Sequence, residues 1–407
     1  MTRLFARRVA FKRSVLVMHI DADLLILGGG CAGLSLGQRL AERPSGSRRT
    51  LIVERRATYT NDRSWCFWRF GNHRHDHLVT HTWSKMKVAS HANSFVADCG
   101  RTPYQMLHAL PFYTEACSTI NSAPHVELIC GTRLLEPPLK VGELWHVQTN
   151  QGQLVARKIV DTTPPSAPIE GDAVLWQSFF GQEVMCEHPV FDPNNVTLMD
   201  FSKSSEHGIL FHYVLPVSTT RALVETTVFG PRPLAVTDLA GVQADAITRL
   251  CNGRAVDVLR SENGILPMGM RQSPLASQSG YVRAGLMSGG ARPSTGYAFQ
   301  RIQSWAEAAA TQITDGIDPS THRQDPLIWR LMDRLFLRVI RAHPDRGAEL
   351  FLNIFGAADT TRVIRFLSDK GTLVDCGAVV ASLPKGLFLR ELWQSLLEPK
   401  VKTVGVA

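Results

Sequence analysis

The stretch LLILGGGCAG, residues 24–33, decides the fold of this 407-residue chain. Its four apolar residues predict a short buried parallel strand, and residues 31–42 predict a helix. The glycines between them follow the pattern G-x-G-x-x-G. The first permits a tight turn, the second lets the backbone approach a pyrophosphate, and the third lets the helix pack on the strand. Gly28, Gly30 and Gly33 are therefore predicted to bind a dinucleotide; the alternative is a glycine-rich turn with a structural role only.

A second strand follows this helix and ends in an acid. Residues 51–53 are apolar, and Glu54 comes directly after them. A carboxylate at this place accepts hydrogen bonds from the ribose hydroxyls of a dinucleotide. The 26 residues from Gly28 to Glu54 slightly exceed the usual spacing of about 20. Strand, helix and strand together predict the opening unit of an α/β domain.

A second glycine-rich segment, GLMSGGARPSTGY, lies far downstream at residues 285–297. It falls between a strand predicted at 281–285 and a helix predicted at 297–311, so its amides could also face a dinucleotide. One complete fingerprint and one late segment favour FAD over a nicotinamide cofactor, which would need a second fingerprint. The candidate contacts in this segment are Gly289, Gly290, Pro293, Thr295 and Gly296.

The rest of the chain divides by its periodicity. Residues 61–100 lack a clear period, and a helix is predicted at 103–120. Alternation of apolar and polar residues between 174 and 229 predicts an antiparallel sheet. From 326 to about 397 the sequence predicts helices, which completes an α/β (α+β) fold class.

Charge and cysteine usage exclude some classes of protein. The net charge is +8, of which residues 1–20 contribute five basic side chains and no acid. The remainder is nearly balanced, so no nucleic-acid partner is expected. The eight scattered cysteines predict reduced thiols in the cytoplasm, and no apolar run is long enough to cross a membrane. Residues 1–20 are predicted to be a flexible basic extension.

Several motifs, in order, carry a family resemblance from about residue 22 to 389. Beside the first glycine-rich segment they are NDRSWCFW (61–68), FDPNNVTLMDF (191–201), FHYVLPVSTTRALVETT (211–227), GGARPSTGYAFQRIQ (289–303) and LMDRLFLRVI (331–340). Together they resemble the bacterial lycopene beta-cyclases, within the fold group of FAD-dependent monooxygenases and geranylgeranyl reductases.

The resemblance implies a domain organisation and a chemistry. A Rossmann-like FAD-binding domain is expected at 21–170 and 255–315, a substrate-binding sheet domain at 171–254, and a helical region at 316–407. The implied enzyme is an isomerase that closes the ends of lycopene, or a related acyclic carotenoid, to β-rings and so makes γ- and β-carotene. A proton adds to a terminal double bond, the cation closes a ring, and a proton is lost. Reduced FAD, with NAD(P)H as a possible reductant, stabilises the cationic transition state.

Two acids are the predicted catalytic residues. Glu225 matches the family's essential acid, and burial would keep its carboxyl protonated and ready to act as a general acid. Its alternative is a surface carboxylate on an exposed strand. Asp200, on a neighbouring strand, could polarise Glu225 or hold its proton, and its alternative is a turn residue at a strand end.

Aromatic residues are the predicted substrate contacts. Trp65, Phe67 and Trp68 could flank the flavin or the polyene, and Phe201 is a further candidate. An aromatic face attracts a cation by roughly 0.5–2 kcal/mol. The alternative is an aromatic core cluster. The histidines between 73 and 81 are interpreted as a polar loop, and no metal is expected.

The basic, amphipathic tail suits a membrane interface. A carotenoid resides in the bilayer, so the protein is predicted to be cytoplasmic and peripheral to the membrane, which it must touch to extract substrate. The alternative is a set of helices packed on their own domain. Competing functions are a flavin-dependent monooxygenase or prenyl reductase on the same fold, and a pigment-binding protein without turnover. Arg283-Ala284-Gly285 departs from the monooxygenase pattern, which has an acid there.

Overall fold

A computed structural model describes residues 19–44, 48–164, 173–269, 277–357 and 359–397. All but the last two residues of the predicted basic extension at 1–20 lie outside these ranges.

Strands supply much of the described structure. In chain order they are β1 (Ala22–Leu27), β2 (Thr50–Val53), β3 (Ser64–Trp68), β4 (Val79–Trp83), β5 (Lys85–Ser90), β6 (Ser94–Asp98), β7 (Tyr104–His108), β8 (Val126–Ile129), β9 (Leu139–Val141), β10 (Leu144–Thr149), β11 (Gly152–Asp161), β12 (Leu175–Cys186), β13 (Asn195–Phe201), β14 (Ile209–Pro216), β15 (Arg221–Gly230), β16 (Val256–Met268), β17 (Ser277–Gln278) and β18 (Tyr281–Arg283).

Helices cover the sheets and fill the end of the described chain. They are α1 (Cys31–Ala41), α2 (Ala109–Asn121), α3 (Val236–Leu250), α4 (Phe299–Thr314), α5 (Leu327–Ala342), α6 (Gly347–Ala357), α7 (Thr360–Leu367), α8 (Leu373–Ser382) and α9 (Lys385–Leu397).

The first sheet carries the predicted dinucleotide loop. It runs in the order β17-β18-β11-β1-β2-β8, with β10 and β9 extending from β11. β1 pairs in parallel with both β2 and β11. Because both of its faces are covered, β1 is almost wholly apolar and buried. The helices α1, α2 and α4 pack together on one face of this sheet.

The second sheet places two groups of helices on opposite sides. Its order is β16-β12-β15-β14-β13-β5-β6. Leu223 and Phe229 of β15 face a large core that they share with α5 to α8. Ala222 and Val224, on the other face of β15, pack against α3. Alternation along one strand therefore decides which helices each side chain meets.

Two stretches differ from the sequence-based expectation. Residues 61–100, for which the sequence shows no clear period, contain β3 to β6. The helix expected from residue 103 begins only at Ala109, because Tyr104–His108 forms the central strand of a small sheet between β3 and β4. All five of its residues are buried, which hides the alternation that identifies a half-exposed strand.

The domain limits remain a prediction. The second sheet includes β5 and β6 from before residue 171 and β16 from after residue 254. The helical region expected from about residue 326 is present as α5 to α9.

Candidate active site

The first glycine-rich loop is shaped by the absence of side chains. Gly28 has a φ of 92°, a left-handed conformation that favours glycine. A Cβ on Gly33 would lie 1.9 Å from the carbonyl oxygen of Gly28, so the start of α1 can approach β1 only at glycine. A Cβ on Gly30 would meet no described atom within 4 Å. The loop thus packs tightly at Gly33 and has open space at Gly30. The G-x-G-x-x-G pattern predicts that a pyrophosphate approaches the backbone at Gly30.

Glu54 fixes the other side of this loop. Its carboxylate accepts hydrogen bonds from the Gly29 amide at 2.6 Å and from the Arg56 amide and Nε, both at 2.9 Å. Burial alone would raise the pKa of Glu54, but the bonds from Arg56 and Gly29 lower it overall. Tyr59 donates its hydroxyl to the Gly29 carbonyl oxygen at 2.9 Å. Glu54 is therefore an ionised, oriented acceptor beside the loop, as a ribose contact requires.

The late glycine-rich segment lies against the first. Gly285 and Gly289 have φ angles of 90° and 91°, and a Cβ on Gly285 would be 3.4 Å from the Cβ of Ala32 in α1. The Gly285 amide donates to His322 Nε2 at 2.9 Å, and burial lowers the pKa of His322 to about 4, so this imidazole is a neutral acceptor. A Cβ on Gly290 would approach the Gly285 carbonyl oxygen to 2.6 Å.

The end of this segment is tied to the C-terminal helices. Pro293 accepts a hydrogen bond from the Gly269 amide at 3.1 Å, and the Thr295 and Gly296 amides donate to the Arg292 carbonyl oxygen. The Arg292 side chain is buried and pairs with Asp333 of α5 at 3.2 Å. Together the two glycine-rich segments form a cradle beside the start of α1 that is open at Gly30. Its residues fit a dinucleotide.

Glu225 lies in a row of residues across the second sheet. Gly181 of β12 pairs with Glu225 of β15 on one side and with Glu262 of β16 on the other. A Cβ on Gly181 would be 3.3 Å from carbons of both glutamates. With glycine between them, the two side chains share one face of the sheet. Tyr213 of β14 continues the row beyond Glu225.

The surroundings of Glu225 keep its carboxyl protonated. The side chain lies deep in the protein, although part of its surface stays accessible. Burial first, and the neighbouring Glu262 second, raise the pKa of Glu225 to about 8. Its hydrogen bond is with Thr227, whose hydroxyl donates to Oε1 at 3.0 Å. At neutral pH this group is a protonated acid.

Glu262 is a functional candidate that the sequence analysis did not identify. Its carboxylate contacts Arg260 Nη1 and accepts a hydrogen bond from the Ser64 hydroxyl at 3.0 Å. Arg260 also reaches buried Glu183, with Nε to Oε2 at 2.5 Å. The spacing could have indicated only its pairing with Arg260, since an acid and a base two residues apart on one strand lie on the same face.

Asp200 does not meet Glu225, so the prediction that it acts on that acid is wrong. It pairs across the sheet with His212, which pairs with Thr226. Since Thr226 and Glu225 are consecutive, the Asp200 row faces the opposite side of the sheet. There its carboxylate meets Arg249 of α3 at 3.3 Å.

The predicted aromatic contacts lie in two packed clusters. Trp65 and Phe67 stack on Phe299 of α4, with centroids 5.2 and 5.3 Å apart, in the core beside the first sheet. Trp68 and Phe201 belong to the core between the second sheet and the C-terminal helices. The structure therefore supports the core interpretation for all four, and a substrate role for them remains a prediction.

A largely apolar cavity of about 380 Å³ lies between the second sheet and the C-terminal helices. Tyr213 and Phe229, which lie on the same sheet face as Glu225, form part of its wall. Tyr297, at the end of the late glycine-rich segment, forms another part. Glu225 lies next to Tyr213 on the adjacent strand, and Tyr213 is the one of the two that lines the cavity. The other lining side chains come mainly from the helices and include Met332, Phe336, Phe351, Phe355, Phe388 and Leu392.

The cavity borders an exposed apolar surface. On α9, Leu389, Leu392, Trp393 and Leu396 are between 42% and 71% exposed and recur at helical spacing. Leu389 and Leu392 also line the cavity, so the surface and the cavity are continuous. Helices in the described ranges are all too short or too polar to span a bilayer.

Known sequences match the chain along most of its length. A sequence model of the family described as Lycopene cyclase protein matches residues 23–390. The lycopene beta-cyclase of Pseudescherichia vulneris is 24% identical over 411 residues, which cover 92% of this chain and 97% of that protein. The lycopene beta-cyclase of Pantoea ananas is 25% identical over 296 residues, covering 69% of this chain and 72% of that protein.

Solved structures match the fold at low sequence identity. A flavin-dependent brominase has a TM-score of 0.58 at 14% identity, covering 92% of this chain and 98% of that chain. A geranylgeranyl bacteriochlorophyll reductase-like protein from Thermoplasma acidophilum has a TM-score of 0.57 at 11% identity, covering 91% and 95%. Together with the two sheets and the helical tail, these likenesses confirm the predicted fold class.

Proposed function

The chain belongs to the lycopene cyclase family, and we propose from this premise that it closes the ends of lycopene, or a related acyclic carotenoid, to β-rings. The single observation that carries the proposal is Glu225, a deep and protonated acid on the sheet face that also borders the apolar cavity. The reaction has no net redox change, so the protein acts as an isomerase.

Alkene protonation sets the demands on the site. An alkene is a weak base, and its protonation needs an acid that is positioned and retains its proton at the working pH. Glu225 meets the second demand because burial and Glu262 disfavour its anion. Tyr213, its neighbour on β14, and Phe229, farther along the same sheet face, present aromatic surfaces to the cavity, which suit the carbocation that follows protonation.

The cradle at the start of α1 supports FAD as the cofactor. Gly28, Gly30 and Gly33 would hold its pyrophosphate and Glu54 its ribose, while the turn at Gly285 and Gly289 would face its flavin end. Reduced flavin, with NAD(P)H as its reductant, would supply electron density near the cationic transition state. Because the two glycine-rich segments lie side by side, one bound dinucleotide could reach both.

The exposed apolar stripe on α9 supports contact with the cytoplasmic face of a membrane. The stripe leads into the cavity, so a polyene end could pass from lipid into the cavity without crossing water. We expect the double variant Leu389→Ser with Trp393→Ser to float less with phospholipid vesicles than the parent. Leu139→Ser with Val141→Ser, an exposed pair on β9, is the matched control. Equal flotation of all three proteins would contradict this route.

Pigment analysis tests the reaction itself. A lycopene-accumulating bacterial host would express the parent, Glu225→Gln, and Glu206→Gln, a control at an 88% exposed side chain. We expect γ- or β-carotene from the parent and the control, and lycopene alone from Glu225→Gln. Unchanged lycopene with folded, flavin-loaded parent protein would reject the assignment. Stoichiometric consumption of NAD(P)H would instead indicate a monooxygenase or a prenyl reductase.

A further inference from the structure

The row Glu225–Gly181–Glu262 brings together two carboxyl groups from strands about 40 residues apart in sequence. We infer that Glu262 is the charged neighbour that holds the catalytic proton on Glu225, an inference that rests on the cyclase function proposed above. Glu262 acts through Glu225 and is a positioning residue.

The partners of Glu262 stabilise its ionised form. The Arg260 guanidinium contacts its Oε2, and the Ser64 hydroxyl donates to the same oxygen at 3.0 Å. Arg260 Nη2 in turn donates to Ser64 Oγ at 2.7 Å, so serine and arginine support each other. Burial raises the pKa of Glu262 overall, and Arg260 and Ser64 limit that rise.

The surroundings of Glu225 stabilise its ionised form less than those of Glu262 stabilise the Glu262 carboxylate. Its carboxylate accepts from Thr227, a neutral hydroxyl, and in the described part of the chain no guanidinium donates to it. Arg260 lowers the pKa of Glu225 less than burial and Glu262 raise it. Of the two carboxyls, Glu225 therefore carries the proton and Glu262 the charge.

The charge balance of the surrounding cluster agrees with this division. The charged side chains that meet here are Glu183, Arg221, Arg260 and Glu262. Two carboxylates and two guanidiniums sum to zero, and a charged Glu225 would add a buried negative charge without a partner. His108, 4.0 Å from Glu183, stays neutral because burial lowers its pKa to about 4.

The other groups that face the pair are neutral near pH 7. Cys66 of β3 and Tyr213 of β14 both have pKa values raised by burial, with Glu225 raising them further. Thr227 and Gly181 do not titrate. The charge on Glu262 is thus the main titratable influence on Glu225.

Proton transfer follows directly from this arrangement. The O–H bond of Glu225 breaks as a C–H bond forms at the alkene, which leaves two adjacent carboxylates and a substrate cation. The ring later releases one proton, so the reaction and the protein return to their starting proton count. Repulsion from Glu262 favours recovery of the proton by Glu225 before the next turnover.

The pH dependence of cyclisation tests the role of Glu262. In the parent, activity should fall as pH rises through about 8, where Glu225 loses its proton. Glu262→Gln removes the negative neighbour, so the same fall should occur at least about one pH unit lower. A displacement of one unit corresponds to a loss of about twofold at pH 7 and of about tenfold at pH 9, and acidification restores the activity.

Two further variants separate charge from structure. Glu262→Asp keeps the charge and should keep the fall near the parent pH, and Glu206→Gln, at an exposed site, should behave as the parent. A uniform loss in Glu262→Gln at every pH, with the fall unmoved, would overturn the inference and leave Glu262 a structural residue.

An infrared titration of the purified full chain gives a readout without turnover. The carbonyl band of protonated Glu225, identified by its loss in Glu225→Gln, should disappear at lower pH in Glu262→Gln than in the parent. If the parent cyclises nothing, the proposed function fails while this titration still decides the inference. If the parent is active and the band disappears at the same pH in Glu262→Gln as in the parent, the inference about Glu262 fails while the proposed function stands.

Discussion

The dinucleotide cradle and the Glu225 site are built by different means. In the cradle, Gly33 lies where a Cβ would be 1.9 Å from the Gly28 oxygen, so the missing side chain makes the site. At Glu225, charged groups from β12 and β16, supported by the Ser64 hydroxyl of β3, determine whether one proton is held. The cradle depends on backbone shape within two glycine-rich segments, and the acid depends on electrostatics between strands that are distant in sequence. Substitutions should therefore separate binding of the cofactor from control of the proton.

Gly33→Ala should have the largest effect. Its Cβ has no room, so α1 must move away from β1. We expect the free energy of unfolding to fall by about 1–3 kcal/mol and flavin to be lost on purification. Denaturant unfolding and flavin absorbance measure the two effects. Retention of both flavin and stability would mean that the loop does not need its close approach.

Gly30→Ala should separate flavin affinity from stability. The added Cβ meets open space in the protein, so the free energy of unfolding should change by less than about 1 kcal/mol. The same methyl group would stand where the pyrophosphate approaches, and flavin affinity should fall about tenfold or more. Titration of the flavin-free protein with FAD checks this. Unchanged affinity would show that Gly30 does not face the cofactor.

Asp200→Asn should have the smallest effect. Its ion pair with Arg249, which is 40% exposed, is worth at most about 1 kcal/mol. Because Asp200 faces α3, cyclisation and its pH dependence should match those of the parent. Any displacement of the fall near pH 8 would show that this acid influences Glu225 across the sheet.

Local patterns predicted the cradle, because the strand, the glycines and the helix follow one another in sequence. The acid site was predicted only in part. Glu225 stands out within an apolar strand, but its neighbour Glu262 is placed by the pairing of β12 with β16, which no local pattern reveals.

The error at Asp200 has a specific cause. The ladder between β13 and β14 shifts its register between Thr197 and Asp200. A bulge of this kind changes which face a side chain takes relative to the next strand. Alternation within β13 alone could not place Asp200 against β15.

The parallel pairing of β5 with β13 has a consequence for how the chain is made. About 100 residues separate Ser90 from Asn195, so β5 waits roughly 5–20 s during synthesis for its partner. The first sheet waits longer, since β11 completes its pairing only with β18. Neither sheet is contiguous in the chain, and shortened versions that end before residue 281 would leave unpaired strand edges open to aggregation. The second sheet therefore has all its strands only after β16 has been made, and the first sheet only after β18.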